Sequence, residues 1–261
     1  MSAALHIARS GLDAQDMRMR VISNNLANVN TTGFKRDRAD FESLMYQNLA
    51  QVGAPTSGDT NRADGLTLGT GVRTMGTERM LGQGELTQTA NPLDMALDGP
   101  GHFQVTLPDG TLAYTRDGAF RLSQEGDLVT SSGYRLEPQI TVPEGADSFS
   151  VGTNGIVSVT LPGQPQPVEV GNIDVASFLN EAGLQPIGDN LFVETGASGL
   201  AIIGQPGIEG RGRIRQSALE ASNVNVVEEL VQMIETQRAY EVNSKVISTV
   251  DGMLRYVTQN T

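Results

Sequence analysis

Apolar residues recur at three- and four-residue spacing near both ends of the chain. At the start, only one glutamine interrupts the series Leu5, Ala8, Leu12, Gln15, Met19, Ile22, Leu26 and Val29. At the end, most positions are again apolar in the series Val227, Leu230, Ile234, Gln237, Tyr240, Ser244, Ile247, Val250, Leu254 and Val257. Narrow seams of this kind are typical of helices that pack against other helices. The pattern therefore predicts one long helix at each terminus.

Turn and cap residues indicate where the first helix ends and the second begins. The first seam is followed by Asn-Thr-Thr-Gly at 30–33, and Gly33 suits the left-handed backbone conformation that often ends a helix. Asn225, with a glutamate three residues later, resembles a capping box, so the second helix is expected over 224–257. Residues 1–35 hold four basic and two acidic side chains, whereas residues 216–261 hold three basic and six acidic ones. These opposite net charges favour pairing of the two helices with each other.

Between the helices, short apolar runs alternate with turn-forming dipeptides. Four dipeptides favour hairpin turns: Asp98-Gly99, Asp109-Gly110, Asp117-Gly118 and Asn154-Gly155. Strands are expected at His102–Leu107, Leu112–Thr115, Leu128–Thr130, Ile156–Leu161, Ile173–Phe178, Leu191–Glu194 and Leu200–Ile203. The stretch 48–76 is rich in Gly, Thr and Ala and is expected to be extended.

The predicted fold class is therefore α+β. The long N- and C-terminal helices form a coiled-coil-like helical domain from residues 1–35 and 216–261. Residues 36–80 form an extended linker segment. Residues 81–215 form a central β-rich outer domain of short antiparallel strands.

Composition narrows the classes of partner. The net charge of −12 opposes binding to nucleic acid, because phosphates repel an excess of carboxylates. The chain has no Cys, so disulfides and thiolate metal sites are excluded. No run approaches the roughly 20 apolar residues of a membrane helix, and charges interrupt the N-terminal segment where a cleaved signal peptide would need an apolar core. We therefore expect a protein that is not membrane-inserted.

Candidate chemistry is sparse. Only His6 and His102 could serve as histidine ligands or bases, and no metalloprotease, hydrolase or phosphate-loop motif accompanies them. We expect no catalytic residue, no cofactor and no metal. The run Arg211, Arg213 and Arg215 is interpreted as a solvated strand with alternating charges, with an anion site or a contact to an acidic neighbour as the alternatives.

The length of the two seams points to assembly between subunits. Each helix would be roughly 40 Å long at 1.5 Å per residue, which a small β domain does not easily cover. The predicted assembly residues are Leu5, Leu12, Met19, Ile22, Leu26, Val29, Val227, Leu230, Ile234, Tyr240, Ile247, Val250 and Leu254. Three asparagines flank the first seam and either fix the register between subunits or form a solvated face: Asn24, Asn25 and Asn28.

Several motifs resemble those of a known family. Residues 23–35 read SNNLANVNTTGFK, residues 84–105 read GELTQTANPLDMALDGPGHFQV, and residues 114–120 read YTRDGAF. Residues 216–225 read QSALEASNVN, and QRAYE follows at 237–241. Together these motifs resemble the bacterial flagellar rod and hook protein family. Within that family, the length of the chain and the segment from Tyr46 resemble distal-rod members, with proximal-rod and hook subunits as the alternatives.

The resemblance implies a structural, non-enzymatic role. Family membership implies export through the flagellar type III apparatus without a cleaved signal peptide, and then polymerisation into a rigid hollow shaft that transmits torque. The implied partners are copies of the same chain, proximal-rod proteins, the hook or hook–rod junction, and the peptidoglycan and outer-membrane ring proteins. The implied location is the flagellar basal body in the periplasm and through the outer-membrane ring. An enzyme acting on peptidoglycan and a soluble secreted binding module are the rival classes.

Overall fold

The computed structural model describes residues 3–50, 55–57, 60–61, 65–163 and 166–259. It has two long helices, one at each end, and a β-rich central region, so the expected α+β fold class is confirmed. The chain divides into two compact units. One, the helical unit, comprises Met1–Leu26, Asp37–Glu78 and Asn225–Thr261, and the other, the β body, comprises Ala27–Arg36 and Arg79–Val224.

The two helices fall close to their predicted positions. Helix α1 spans Ala3–Ala27 and helix α2 spans Val226–Gln259. Asn225 caps α2, because its Oδ1 accepts hydrogen bonds from the backbone N–H groups of Val227 at 3.0 Å and Glu228 at 3.4 Å. Gly33 has a φ of 66°, as its predicted turn position requires.

Within the helical unit, α1 and α2 run antiparallel. Asn25 Nδ2 of α1 donates to Glu229 Oε2 of α2 at 3.3 Å. A second contact joins Gly11 of α1 to Asn243 of α2. The two residues lie so close that a Cβ added to Gly11 would be 3.1 Å from Asn243 Nδ2. Asn25 is as far along α1 from Gly11 as Asn243 is along α2 from Glu229, which is the spacing that an antiparallel pair requires.

The segment expected to be an extended linker contains six strands in its described part. They are β1 Asp37–Ser43, β2 Gln47–Ala50, β3 Pro55–Ser57, β4 Thr60–Asn61, β5 Leu66–Leu68 and β6 Val72–Arg79. Their pairing is nested, since β1 pairs with β6, β2 with β5 and β3 with β4. We call this arrangement the ribbon. Residues 51–54, 58–59 and 62–64 of the predicted segment lie outside the described residues.

The β body is built from sixteen further strands and one short 3₁₀ helix in the described ranges. The strands are β7 Leu86–Gln88, β8 Met95–Asp98, β9 His102–Thr106, β10 Leu112–Thr115, β11 Arg121–Leu122, β12 Leu128–Val129, β13 Arg135–Glu137, β14 Ser148–Val151, β15 Ile156–Thr160, β16 Val168–Asn172, β17 Val175–Ser177, β18 Gln185–Gly188, β19 Leu191–Val193, β20 Ile202–Gly204, β21 Arg213–Gln216 and β22 Ala218–Glu220. The 3₁₀ helix spans Glu181–Gly183. Each predicted strand run overlaps one of these strands.

One large sheet organises the β body. Its strand order is β11-β12-β13-β9-β10-β19-β18, and β17 joins β9 to β20 at the side of this path. Strands β14, β15 and β16 form a separate three-stranded sheet. Apolar side chains of both sheets meet in one core, in which the rings of Phe103 and Phe120 pack edge to face at 5.3 Å.

Two of the four predicted hairpin turns are wrong. Asp109-Gly110 joins the paired strands β9 and β10, and Asn154-Gly155 joins β14 and β15, as predicted. Asp98-Gly99 follows β8, which pairs with the distant strand β21 rather than with β9. Asp117-Gly118 is not a hairpin turn either, because Gly118 lies against the backbone of Met95 and accepts its N–H at 3.0 Å.

Candidate assembly interface

The predicted seam of α1 is largely covered within the helical unit. Ile22 is buried, and Leu5, Leu12, Met19 and Leu26 are half-buried. The side chains of α1 that face solvent belong to other positions, such as His6 and Arg20. Val29 follows the end of the helix and is half-buried in the β body. The α1 seam therefore finds most of its partners inside its own subunit.

The predicted seam of α2 lies mostly in solvent. Val227 is 70% exposed, Ile234 is 51% exposed, and Leu230 and Tyr240 are also exposed. Further along, Ile247 and Val250 are half-buried. The side chain of Leu254 lies outside the described part of the chain.

A different stripe of α2 points inward, and most of its members are polar or small, with Met233 and Ile247 half-buried among them. Glu229 and Thr236 are buried, while Ala239 and Asn243 are half-buried. These positions recur at three- to seven-residue intervals along one face, and Glu229 and Asn243 contact α1. The apolar stripe that includes Val227, Leu230 and Ile234 is therefore left for contact outside the subunit, and we call it the open stripe.

The three predicted register asparagines have different environments. The Asn25 side chain is buried and makes three hydrogen bonds inside the helical unit. Its Nδ2 donates to the Asp37 carbonyl at 2.8 Å and to Glu229, and its Oδ1 accepts the Asp37 N–H at 2.9 Å. Asn24 is exposed. Asn28 is half-buried in the β body, where its Oδ1 accepts the Thr31 hydroxyl at 3.2 Å.

The ribbon also presents apolar side chains to solvent. Met45 is 88% exposed, and Tyr46, Leu49, Leu66 and Leu68 are exposed as well. Ion pairs strengthen the β1–β6 end, where Arg38 Nη2 lies 2.6 Å from Glu78 Oε2 and Arg73 Nη2 lies 2.6 Å from Glu42 Oε2. The ribbon thus combines paired strands with apolar side chains that are exposed among the described residues of the helical unit.

Sequence reasoning missed a buried ion cluster in the β body. Lys35, Arg116 and Glu220 are all buried, and the Glu220 carboxylate accepts bonds from both cations. Burial lowers the pKa of Lys35, and the bond to Glu220 opposes that shift. Burial also lowers the pKa of Arg116 and raises the pKa of the nearby Glu181. Each of the three central residues lies in one of the motifs at 23–35, 114–120 and 216–225, which is the signal that was present in the sequence.

The candidate chemical residues form no reactive constellation in the described ranges. His102 is buried between the rings of Phe178 and Phe192, and burial lowers its pKa to about 3. Arg211 is buried and pairs with Glu209, whereas Arg213 and Arg215 are exposed on strand β21. Among the described residues, no group of three or more His, Asp or Glu side chains is placed to hold a metal. Neither described helix has the length and apolar character needed to cross a membrane.

Comparison with known protein families relates these features to other proteins. Residues 5–35 match the family model of the flagella basal body rod protein. Residues 96–159 match the D1 domain model of the flagellar hook proteins FlgE/F/G, and residues 215–260 match the C-terminal model of the flagellar basal body rod FlgEFG proteins. The three models fall on both helices and on the β body.

Individual relatives match over almost the whole chain. The flagellar basal-body rod protein FlgG of Buchnera aphidicola subsp. Schizaphis graminum (strain Sg) is 53% identical, over 99% of this chain and 100% of its own length. FlgG of Caulobacter vibrioides is 48% identical, over 98% of both chains. FlgF of the same organism is 33% identical, over 98% of this chain and 96% of its own length. Within one organism, the similarity to FlgG exceeds the similarity to its paralogue.

Proposed function

The chain belongs to the flagellar basal-body rod protein family and is a structural subunit of the distal rod, and on this premise we propose that it polymerises through its helical unit into a rigid hollow shaft. In this proposal, α1 and α2 of each copy pack in a coiled-coil-like manner with those of neighbouring copies to form the inner wall. The β body forms an outer layer. The shaft transmits torque from the motor to the hook.

The open stripe of α2 carries this proposal. Exposed apolar side chains on a long helix are unfavourable in water, and burying one Val, Leu or Ile contributes about 1.5–3 kcal/mol. The inward face of α2 is already occupied by contacts such as Asn25–Glu229. Helices of neighbouring copies are therefore the proposed cover for Val227, Leu230 and Ile234. Tyr240, Ile247, Val250 and Leu254 are further proposed contacts outside the open stripe.

The seam of α1 has a secondary role in the proposed assembly. Its half-buried members, including Leu12, Met19 and Leu26, complete their burial when neighbouring copies arrive. Asn25 is already bonded to Asp37 and Glu229 within the subunit. In the proposed assembly, Asn24 and Asn28 therefore fix the register between the helices of neighbouring copies.

The proposal includes a route and a location for the subunit. The chain passes through the flagellar type III export apparatus and assembles in the periplasm. The finished shaft runs through the peptidoglycan- and outer-membrane-associated rings and joins the proximal rod to the hook.

Introduction of a negative charge into the open stripe tests the function. We expect Val227→Asp and Ile234→Asp to abolish tube formation when the purified chain is concentrated, because each places a carboxylate where an apolar contact forms. Electron microscopy and sedimentation velocity measure tubes and monomer. Motility of cells that carry each variant in place of the wild-type copy should be lost.

Val168→Asp is the matched control. Val168 is also an exposed valine, at 40%, but it lies on β16 of the β body. This variant should polymerise like the wild type, and far-ultraviolet circular dichroism should show that all three variants keep their fold. Normal tubes from the α2 variants would refute assembly through the open stripe.

A further inference from the structure

Three distant parts of the chain meet at the buried ion cluster. Lys35 follows α1, Arg116 follows β10, and Glu220 ends β22. Their side chains are no more than 4% exposed. The buried cluster therefore joins Lys35, from the segment after the first helix, to Glu220, from the segment before the second helix.

The polar atoms of the cluster are hydrogen-bonded to one another and to nearby backbone groups. Glu220 Oε1 accepts the Lys35 ammonium and the Gly84 N–H at 2.9 Å, and Oε2 accepts Arg116 Nη1 at 3.3 Å. Lys35 also donates to the Gly82 carbonyl at 3.0 Å, and Arg116 to the Gly99 carbonyl at 2.9 Å. Removal of Glu220 would leave two buried cations without their shared carboxylate, and removal of Lys35 would leave Glu220 Oε1 with only the Gly84 N–H. Either loss of a buried partner is unfavourable.

Backbone contacts join the same two segments beside the cluster. The Gly33 N–H donates to the Glu220 carbonyl at 2.8 Å, and a Cβ on Gly33 would lie 2.7 Å from the carbonyl carbon of Arg116. Asn223 Oδ1 accepts the Arg36 N–H at 2.8 Å, and its Nδ2 donates to the Met80 carbonyl at 2.7 Å. Residues 27–36 and 216–224 are therefore attached to each other and to the β body at several points.

We propose that this cluster is a clamp. It makes residues 27–36 and residues 216–224 order together with the rest of the β body, as one cooperative unit in the free subunit. The cooperative unit then begins at residue 27 and ends at residue 224, next to the ends of α1 and α2. This property belongs to the single chain and does not depend on how the subunit polymerises.

The two lysines of the chain provide a direct test. Lys35 is buried in the clamp, whereas Lys245 is exposed on α2. In dilute native monomer, an amine-reactive reagent should modify Lys245 readily and Lys35 at least tenfold more slowly. A lowered pKa leaves more of Lys35 in the unprotonated form that reacts, so slow modification reports exclusion from solvent. Equal rates at the two lysines would overturn the clamp.

Variants test the coupling. Lys35→Met should raise the rate of amide exchange on the order of 100-fold in residues 216–224 as well as in residues 27–36, because the buried Lys35–Glu220 bond that joins the two segments is lost. Lys245→Met is the matched control and should change neither segment. An effect of Lys35→Met confined to residues 27–36 would refute cooperative ordering.

A denaturant titration of the wild-type chain covers the case in which Lys35→Met does not fold. Lys35 modification and amide exchange in residues 216–224 should increase at the same denaturant concentration as exchange in the core strand β9. Opening of either segment well before β9 would also overturn the proposal.

Discussion

Buried ionisable side chains are the most informative single residues in this protein. Lys35, Arg116, Glu220 and His102 all lie inside the β body, although charged residues are usually exposed. The sequence motifs contain the first three but do not indicate burial, because the partners of each lie far away in the chain. Spacing rules report local neighbours only, so this cluster could not be predicted from the pattern of positions.

His102 makes the β body sensitive to acid. Its folded pKa is lowered from 6.5 to about 3, so the unfolded chain binds a proton in this window and the folded chain does not. The stabilising contribution is present above pH 6.5 and is lost as the pH falls toward 3. Between pH 7 and pH 5 we expect a loss of about 2 kcal/mol from this group in the free energy of unfolding.

His102→Gln should remove that part of the pH dependence. The measurement is urea unfolding at pH 7 and pH 5, followed by amide exchange in the core strand β9 of the β body. His6→Gln is the control, because His6 lies on α1, outside the β body, and the variant keeps His102. A His102→Gln variant with the wild-type pH dependence would contradict the assignment.

At the scale of elements, Asn25 connects α1, the start of the ribbon and α2. It bonds both backbone groups of Asp37 and the Glu229 carboxylate. Because the contact of Gly11 with Asn243 has matching spacing, Asn25 and Glu229 select one register for the helix pair. Sequence reasoning placed Asn25 among residues that act either between subunits or in solvent, and its described hydrogen bonds lie within one subunit.

Asn25→Ala should therefore destabilise the free monomer. Loss of the amide leaves two backbone groups and a buried carboxylate with fewer partners, so we expect a cost of about 2–4 kcal/mol in thermal or urea unfolding followed at 222 nm. Asn24→Ala, at the neighbouring exposed position, should cost clearly less than Asn25→Ala, because exposed polar groups also bond to water. If Asn25→Ala altered polymerisation but left monomer stability unchanged, Asn25 would act between subunits.

The helices and several hairpins could be predicted because their signals are local. The seam spacing, the Asn225 cap and the Asp109-Gly110 turn each depend on residues only a few positions apart. The prediction of a hairpin turn at Asp98-Gly99 was wrong because β8 pairs with β21, which lies more than a hundred residues later in the chain. The seam of α2 was found, but spacing alone does not tell which of two stripes faces the partner helix.

For the whole molecule, the ribbon is the element best placed to determine how stiff an assembly becomes. Its exposed side chains include Met45, Leu49 and Leu66, and its backbone is paired along both arms. A paired ribbon that docks on a neighbouring copy resists bending, because bending would separate apolar contacts. This role for the 48–76 segment remains a prediction.

Shortening the ribbon tests that role. Replacement of residues 47–68 by a short turn keeps β1 paired with β6 and removes β2 to β5. We expect tubes that still form but bend more, with a severalfold shorter persistence length in electron micrographs. Replacing Met45 and Leu49 by Ser should have a weaker effect in the same direction. Straight tubes from the shortened chain would refute the idea.

The nested pairing of the ribbon also makes its reach adjustable during evolution. Matched insertions in both arms would lengthen it without displacing Asp37 or Arg79, where the ribbon joins the rest of the chain. The entropy of closing a longer hairpin grows only with the logarithm of its length, so such insertions are inexpensive. The ribbon can therefore change in length without any change in α1 or α2.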